Sequence, residues 1–181
     1  WSALTARKYR DEIARLFGRD DFFLTVNMID RLDYFGGNAA YEGTTIVGQR
    51  NLVDKYRGKE KEAEAEIKRL VDMWRRKENV SRERLKTHEP GSEAERTETS
   101  WAATCKERAD DLEQGFSLVL PDASFDRKKS IDLGDIALEL IWFGRAGYDG
   151  MTVAVVPEEK TAIIPGFIMH SHHLTAYPQA A

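Results

Sequence analysis

The chain has 181 residues, a length that suits one globular domain. Hydrophobic residues make up 41% and charged residues 32%, which argues against disorder, and no apolar run approaches the roughly 18 residues that span a bilayer. The net charge of −4 gives no indication of a nucleic-acid or anionic-membrane partner.

Cysteine usage and the N-terminal segment bear on the compartment. The first residues lack the apolar core of a signal peptide. Cys105 is the one cysteine, so no internal disulfide can form, and we expect a cytoplasmic protein. Cys105 lies in a helical pattern, which favours a small half-buried packing residue over a lone nucleophile.

The first 48 residues predict one helix and two short strands. Residues 3–17 repeat apolar side chains at the helical period, and Gly18 is a suitable stop. Residues 22–27 are rich in aromatic and β-branched side chains, which indicates a buried strand. We expect a loop over 28–38 and a second strand over 44–48.

The next segment predicts two long helices. The first is expected to be capped by Asn51 and to reach Arg76, with one apolar face and many charges elsewhere. Pro90-Gly91 breaks the pattern, and Ser92 begins a second helix that ends near Gly115. Two helices joined by a Pro-Gly turn indicate an antiparallel hairpin.

The last third predicts strands. Residues 116–120 indicate a single strand. Residues 130–133 and 136–143 flank a Gly-Asp turn, and 152–157 and 161–164 flank a short charged turn, so each pair predicts a β-hairpin. The order of elements predicts a layered domain of the α/β (α+β) class.

Three of these segments together resemble the metallo-β-lactamase superfamily. Members of that family show a strand, then Asn-Thr-His-x-His-x-Asp-His, then x-Gly-Gly-Asn. Val26-Asn-Met-Ile-Asp-Arg-Leu-Asp-Tyr-Phe-Gly-Gly-Asn38 matches this register without a gap at Asn27, at Asp33 and at the final Gly-Gly-Asn. The other two similar stretches are Ile131–Gly150 and Val155–Phe167.

The resemblance implies a fold and a domain boundary. It implies a partial metallo-β-lactamase-like αββα sandwich over residues 1–181, with 51–115 as an inserted helical hairpin. The family's preceding strands have no counterpart in this sequence. We therefore expect a longer chain, or a homo- or hetero-oligomer in which another subunit supplies the missing sheet layer.

The departures from the family pattern concern its metal ligands. The family holds two zinc ions, or iron, on histidines and carboxylates. The resemblance puts one carboxylate, Asp33, at a ligand position. The other ligand positions fall on residues that cannot replace a histidine or an acid as a ligand: Ile29, Arg31, Tyr34, Gly147, Met151, and either Gly166 without a gap or Phe167 with one. The sequence therefore predicts no dinuclear metal site and no cofactor.

Several residues near these positions are candidates for chemistry. Asp33 can form an ion pair with Arg31, or it can act as a general base. Tyr34 and Tyr148 can donate hydrogen bonds to a ligand, or they can fill the emptied cavity.

Three histidines follow the last predicted strand. His170 and His172 share one face of an extended segment, whereas His173 points to the other. With Asp33 they can hold one zinc or iron ion, and the alternative is a polar loop at a strand end.

These features leave three functional hypotheses. The first is a pseudoenzyme, a non-catalytic binding or structural subunit with a possible small-molecule ligand and no nucleic-acid or membrane partner. The alternative is a hydrolase-like enzyme with altered or single-metal chemistry that uses Asp33, His170 and His172 as catalytic residues, with His173 in the pocket. The third places the working surface on the 51–115 hairpin, which would bind another protein.

Overall fold

The computed structural model describes residues 2–145 and 148–165. These residues form a mixed α+β structure with five α-helices and two sheets, which confirms the predicted class. They divide into two compact units, one over 2–21, 36–42 and 59–119 and one over the rest. The single domain over 1–181 stays a prediction.

The elements are numbered in chain order. The helices are α1 Ala3–Phe17, α2 Leu32–Phe35, α3 Arg50–Tyr56, α4 Glu60–Leu85 and α5 Glu93–Gly115. The strands are β1 Leu24–Asn27, β2 Thr45–Gln49, β3 Ala123–Phe125, β4 Lys128–Asp132, β5 Ala137–Ile141, β6 Val153–Val156 and β7 Thr161–Ile163. A 3₁₀ helix spans Asn38–Tyr41.

The first unit is helical. The predicted helix over 3–17 is confirmed as α1, which Ser2 caps through its hydroxyl and which ends at Gly18 in the left-handed conformation with φ 67°. In the predicted hairpin, α4 and α5 run antiparallel. Arg75 pairs with Asp110, whereas Arg84, which is further along α4, lies near Glu98, which is earlier on α5.

The seam of this hairpin joins large side chains to small ones. α4 buries apolar side chains at intervals of three and four, and the side chains that α5 buries are mostly smaller. The buried seam residues are Ala63, Ile67, Val71 and Trp74 on α4, and Ala102, Cys105, Ala109 and Leu112 on α5. The small residues of α5 allow the two helix axes to approach closely.

The prediction of one helix from Asn51 to Arg76 is wrong. Two helices occupy this stretch, because α3 ends at Tyr56 and Gly58 takes a φ of 66°, which a continuous helix does not contain. The cap also differs from the prediction. Gln49 accepts the backbone N–H of Asn51 at 2.6 Å, so Asn51 lies inside the first turn.

The second unit contains both sheets. β1, β2 and β3 form a parallel sheet in that order, and β4 to β7 form an antiparallel meander. Both predicted hairpins, β4–β5 and β6–β7, are confirmed. The two sheets share a buried cluster of Val47, Phe125, Leu140 and Ala154.

Two further predictions about this part of the chain need correction. Residues 116–120 form no strand, and pairing with β2 begins only at Ala123, beyond Pro121, which has no backbone N–H to donate to a ladder. The expected loop over 28–38 contains α2, whose Leu32 and Phe35 are 0% and 2% exposed. Burial of these two side chains favours a helical turn there.

The length and hydropathy of the helices bear on membrane insertion. Within residues 2–145 and 148–165, none is both long enough and apolar enough to cross a membrane.

Candidate functional site

The candidate site begins where β1 ends. β1 lies at one edge of the parallel sheet and finishes at Asn27, and the chain then passes through residues 28–31 into α2. Loops that follow the carboxyl ends of parallel strands commonly carry ligand sites, because side chains from neighbouring strands converge there. This segment holds the residues that the sequence analysis singled out.

Arg31 and Asp33 form the predicted ion pair. The Arg31 Nε donates to Asp33 Oδ1 at 2.9 Å, and its Nη2 donates to Oδ2 at 2.5 Å. This two-pronged arrangement fits the planar guanidinium to the planar carboxylate. The pair is largely shielded, since the Arg31 and Asp33 side chains are 31% and 11% exposed.

Two tyrosines complete the group around Arg31. The remaining Arg31 nitrogen, Nη1, donates to the hydroxyl of Tyr148 at 3.0 Å. The Arg31 Cζ also lies 5.0 Å from the ring centroid of Tyr34 and 5.7 Å from that of Tyr148. Both distances allow cation–π attraction. We refer to Arg31, Asp33, Tyr34 and Tyr148 as the Arg31 cluster.

The electrostatics of the Arg31 cluster favour the charged guanidinium. Burial by itself lowers the pKa of Arg31, but the negative charge of Asp33 and the hydrogen bonds from Arg31 to Tyr148 and Asp33 outweigh it and raise the pKa. Arg31 is therefore a permanent cation at the centre of the site. Both oxygens of Asp33 are engaged by it, which occupies lone pairs that a metal ion or a substrate proton would need.

The side chains present do not fit a dinuclear metal centre. Ile29 offers no lone pair and is 7% exposed, and Arg31 is a cation that would repel a metal. Over residues 2–145 and 148–165, no cluster of three or more His, Cys, Asp or Glu side chains could hold a metal ion. The positions of Gly147 and Gly166 lie outside the described residues.

The histidine cluster cannot be placed relative to this site. His170, His172 and His173 lie outside the described residues, so their convergence with Asp33 stays a prediction. Of the residues that the sequence singled out, the structure brings together Arg31, Asp33, Tyr34 and Tyr148.

The sequence analysis missed Asp30. Its side chain is 3% exposed, and its Oδ1 has no hydrogen-bond partner among the residues that the structure describes. Lys55 on α3 donates to the Asp30 backbone carbonyl at 3.1 Å, and the same ammonium lies 3.5 Å from Oδ2. A buried acceptor without a partner is costly, because it has given up water without replacement.

The surroundings of Asp30 are tightly packed. A Cβ added at Gly150 would lie 3.0 Å from the Asp30 Cβ and 3.2 Å from the Leu52 Cβ. The close approach of Asp30 and Gly150 brings together two segments that are far apart in the chain. No local sequence signal distinguishes Asp30 from an ordinary acidic loop residue.

The sequence was compared with protein families and with characterised proteins. No family model matches the chain. The search of curated proteins also found no significant match.

Proposed function

We propose that this chain is a degenerate metallo-β-lactamase-fold protein that acts as a non-catalytic binding or structural subunit. The observation that carries the proposal is the two-pronged ion pair between Arg31 and Asp33. Under this proposal Asp33 is the last of the family's metal ligands, and the guanidinium supplies the positive charge that a metal ion supplies in catalytic relatives.

The proposal accounts for the residues around the ion pair. In a metal-dependent hydrolase the metal generates hydroxide at neutral pH, and a guanidinium that holds no water as a ligand cannot replace it in that step. The two tyrosines shield the charge pair and hold it in one orientation. A small-molecule ligand bound there would meet Arg31 and the ring of Tyr34, which is 52% exposed, instead of a metal-bound hydroxide.

The subunit role is proposed from apolar exposure. Leu16 and Phe17 at the end of α1 are 61% and 74% exposed, although both are large hydrophobic side chains. Adjacent exposed hydrophobic residues often mark contacts with another protein. A homo- or hetero-oligomer that covers them would fit the expectation of a partner that supplies a missing layer.

The test is metal content measured together with hydrolytic activity. The purified chain is incubated with zinc or iron, dialysed, and analysed for metal per chain, and ester, thioester and lactam hydrolysis are then assayed. We expect far less than one equivalent of metal and no hydrolysis above that of the Asp33→Asn variant, which serves as the matched control.

A tightly held metal would reverse the assignment. One equivalent that is lost in Asp33→Asn and in His170→Ala or His172→Ala would favour the hydrolase-like enzyme with a single zinc or iron ion. His88→Ala controls for nonspecific histidine binding, because His88 lies beyond the end of α4 in the other unit.

A further inference from the structure

The helical hairpin carries a groove on one side of its seam. Its volume is about 300 Å³. Within it, α4 contributes Met73, Arg76, Lys77, Val80 and Arg84, and α5 contributes Trp101. The groove lies within the helical unit and shares no residue with the Arg31 cluster.

The apolar residues of the groove include two that are exposed. Val80 is 50% exposed and Trp101 is 41% exposed. Met73 and Val80 are seven positions apart, so they lie on the same face of α4, two turns from each other. The Trp101 ring meets the buried Trp74 ring edge-on at a centroid distance of 6.1 Å, which anchors it in the groove.

The charged residues of the groove are all cationic. Arg76, Lys77 and Arg84 line it, and no acidic side chain does. Arg76 makes no ion pair with any residue that the structure describes. Arg84 has only Glu98, at 4.0 Å.

The opposite side of the same hairpin provides a contrast. Arg75 there contacts Asp110 at 2.5 Å and Glu113 at 2.7 Å. Lys106 also contacts Asp110 at 2.5 Å. Arg75 and Lys106 are therefore closely paired within the hairpin. In the groove, Arg84 has only the 4.0 Å pair with Glu98, and Arg76 has no ion pair with a described residue, although the whole chain has a net charge of −4.

We propose that this groove binds an acidic amphipathic helix of a partner protein. A groove between two antiparallel helices accommodates a third helix that inserts apolar side chains at positions i, i+3 or i+4, and i+7. Carboxylates on the flanks of such a helix would pair with Arg76 and Arg84. The overall negative charge of the chain disfavours an extended polyanion such as nucleic acid, which interacts with charges well beyond the groove.

The experiment uses the full chain and a designed peptide as the probe. The peptide is a fluorescein-labelled helix with leucines at i, i+4 and i+7 and glutamates on both flanks, and binding is followed by fluorescence anisotropy. Three further probes serve as controls: the peptide with lysines in place of glutamates, the peptide with serines in place of leucines, and a single-stranded oligonucleotide.

We expect the acidic, leucine-containing peptide to bind best, and higher salt to weaken its binding. Arg76→Glu is expected to weaken it by about tenfold or more, and Val80→Ser by several-fold. Lys61→Glu makes the same charge change on α4 outside the groove, and it is expected to leave binding within about twofold.

Four results would overturn the proposal. They are the absence of saturable binding, equal binding of the lysine peptide, tighter binding of the oligonucleotide, and equal losses in Arg76→Glu and Lys61→Glu. None depends on metal content or hydrolysis, so failure here is distinguishable from failure of the proposal for the Arg31 cluster.

Discussion

The carboxylate of Asp111, on α5, accepts the backbone N–H of Ser2, the N-cap of α1, at 2.7 Å. The other Asp111 oxygen accepts the Ser2 hydroxyl and also the backbone N–H and hydroxyl of Thr5, at 3.1 Å and 2.7 Å. An anion at a helix N-terminus accepts hydrogen bonds from free N–H groups and is attracted to the positive end of the helix dipole. This buried contact ties the first helix to the hairpin.

Loss of this carboxylate should destabilise the helical unit. Asp111→Ala removes four hydrogen bonds and leaves buried donors at Ser2 and Thr5, so we expect a loss of about 2–4 kcal/mol in the free energy of unfolding. Urea denaturation followed by circular dichroism measures it. Glu107→Ala, on the exposed side of α5, is the control and should change stability by less than about 0.5 kcal/mol.

The same contact predicts a pH dependence. Burial alone raises the pKa of Asp111, but the hydrogen bonds from Ser2 and Thr5 outweigh it and hold the pKa below its usual value of 3.8. Because the folded pKa is depressed, the stabilisation is complete above the unfolded pKa and is lost as the pH falls through the folded pKa.

The stability difference between the wild type and Asp111→Asn should therefore be constant near neutral pH and shrink below about pH 4. Urea midpoints at a series of pH values measure it. A difference that stays constant down to the acid limit of folding would contradict this assignment.

The Arg31 cluster should depend on the shape of the guanidinium as well as on its charge. Arg31→Ala removes the ion pair of the Asp33 carboxylate, which is 11% exposed, and we expect a loss of about 1–3 kcal/mol in the free energy of unfolding. Arg31→Lys keeps the charge but cannot form the two-pronged contact or reach Tyr148 in the same way, so it should recover only part of that loss.

A double-mutant cycle separates the pair from its surroundings. The double variant Arg31→Ala/Asp33→Ala should lose less free energy of unfolding than the sum of the two single variants. Each single variant already removes the ion pair and leaves one charge without the other. Additive losses, or full stability in Arg31→Lys, would show that the ion pair is not the organising contact of the site.

At Gly115 we expect alanine to lower the stability of the protein, which is opposite to its usual effect in a helix. Replacement of a helical glycine by alanine ordinarily stabilises a protein by about 0.5–1 kcal/mol. At Gly115 the added Cβ would lie 2.4 Å from the Ser2 Oγ and 2.7 Å from the Leu4 Cγ. The Ser2 hydroxyl is held by Asp111 and cannot move aside without loss of that bond.

We therefore expect Gly115→Ala to destabilise the protein by about 1–3 kcal/mol, as overpacking does. The free energy of unfolding in urea measures the change. A variant more stable than the wild type would show that α1 does not pack against this end of α5.

Cys105 should be inert in the folded protein. Its side chain is 0% exposed, more deeply buried than the half-buried position expected from the sequence, and burial raises the pKa of the thiol. Neither property suits a nucleophile, which must be accessible and ionised. We expect a thiol reagent to label Cys105 slowly in buffer and rapidly in urea. Fast labelling in buffer would contradict the buried position.

Part of the candidate site could be predicted from local sequence. Arg31 and Asp33 are two positions apart, so an ion pair between them follows from their spacing and charge. The contact between Arg31 and Tyr148 joins residues 117 positions apart. It depends on how the chain returns to the end of β1, which no local pattern encodes. The same is true of the buried Asp30 beside Gly150.

The sequence by itself determined the elements whose signals are local. The helix over 3–17, the helix that begins after Ser92 and both β-hairpins follow from apolar periodicity, capping residues and turns. Only the tertiary structure decided that Gly58 interrupts a helix, that Leu32 and Phe35 lie in a helical turn, and that Asp111 binds the N-terminus of α1. Periodicity reports which face of an element is buried, whereas the partner of that face is set by contacts between distant segments.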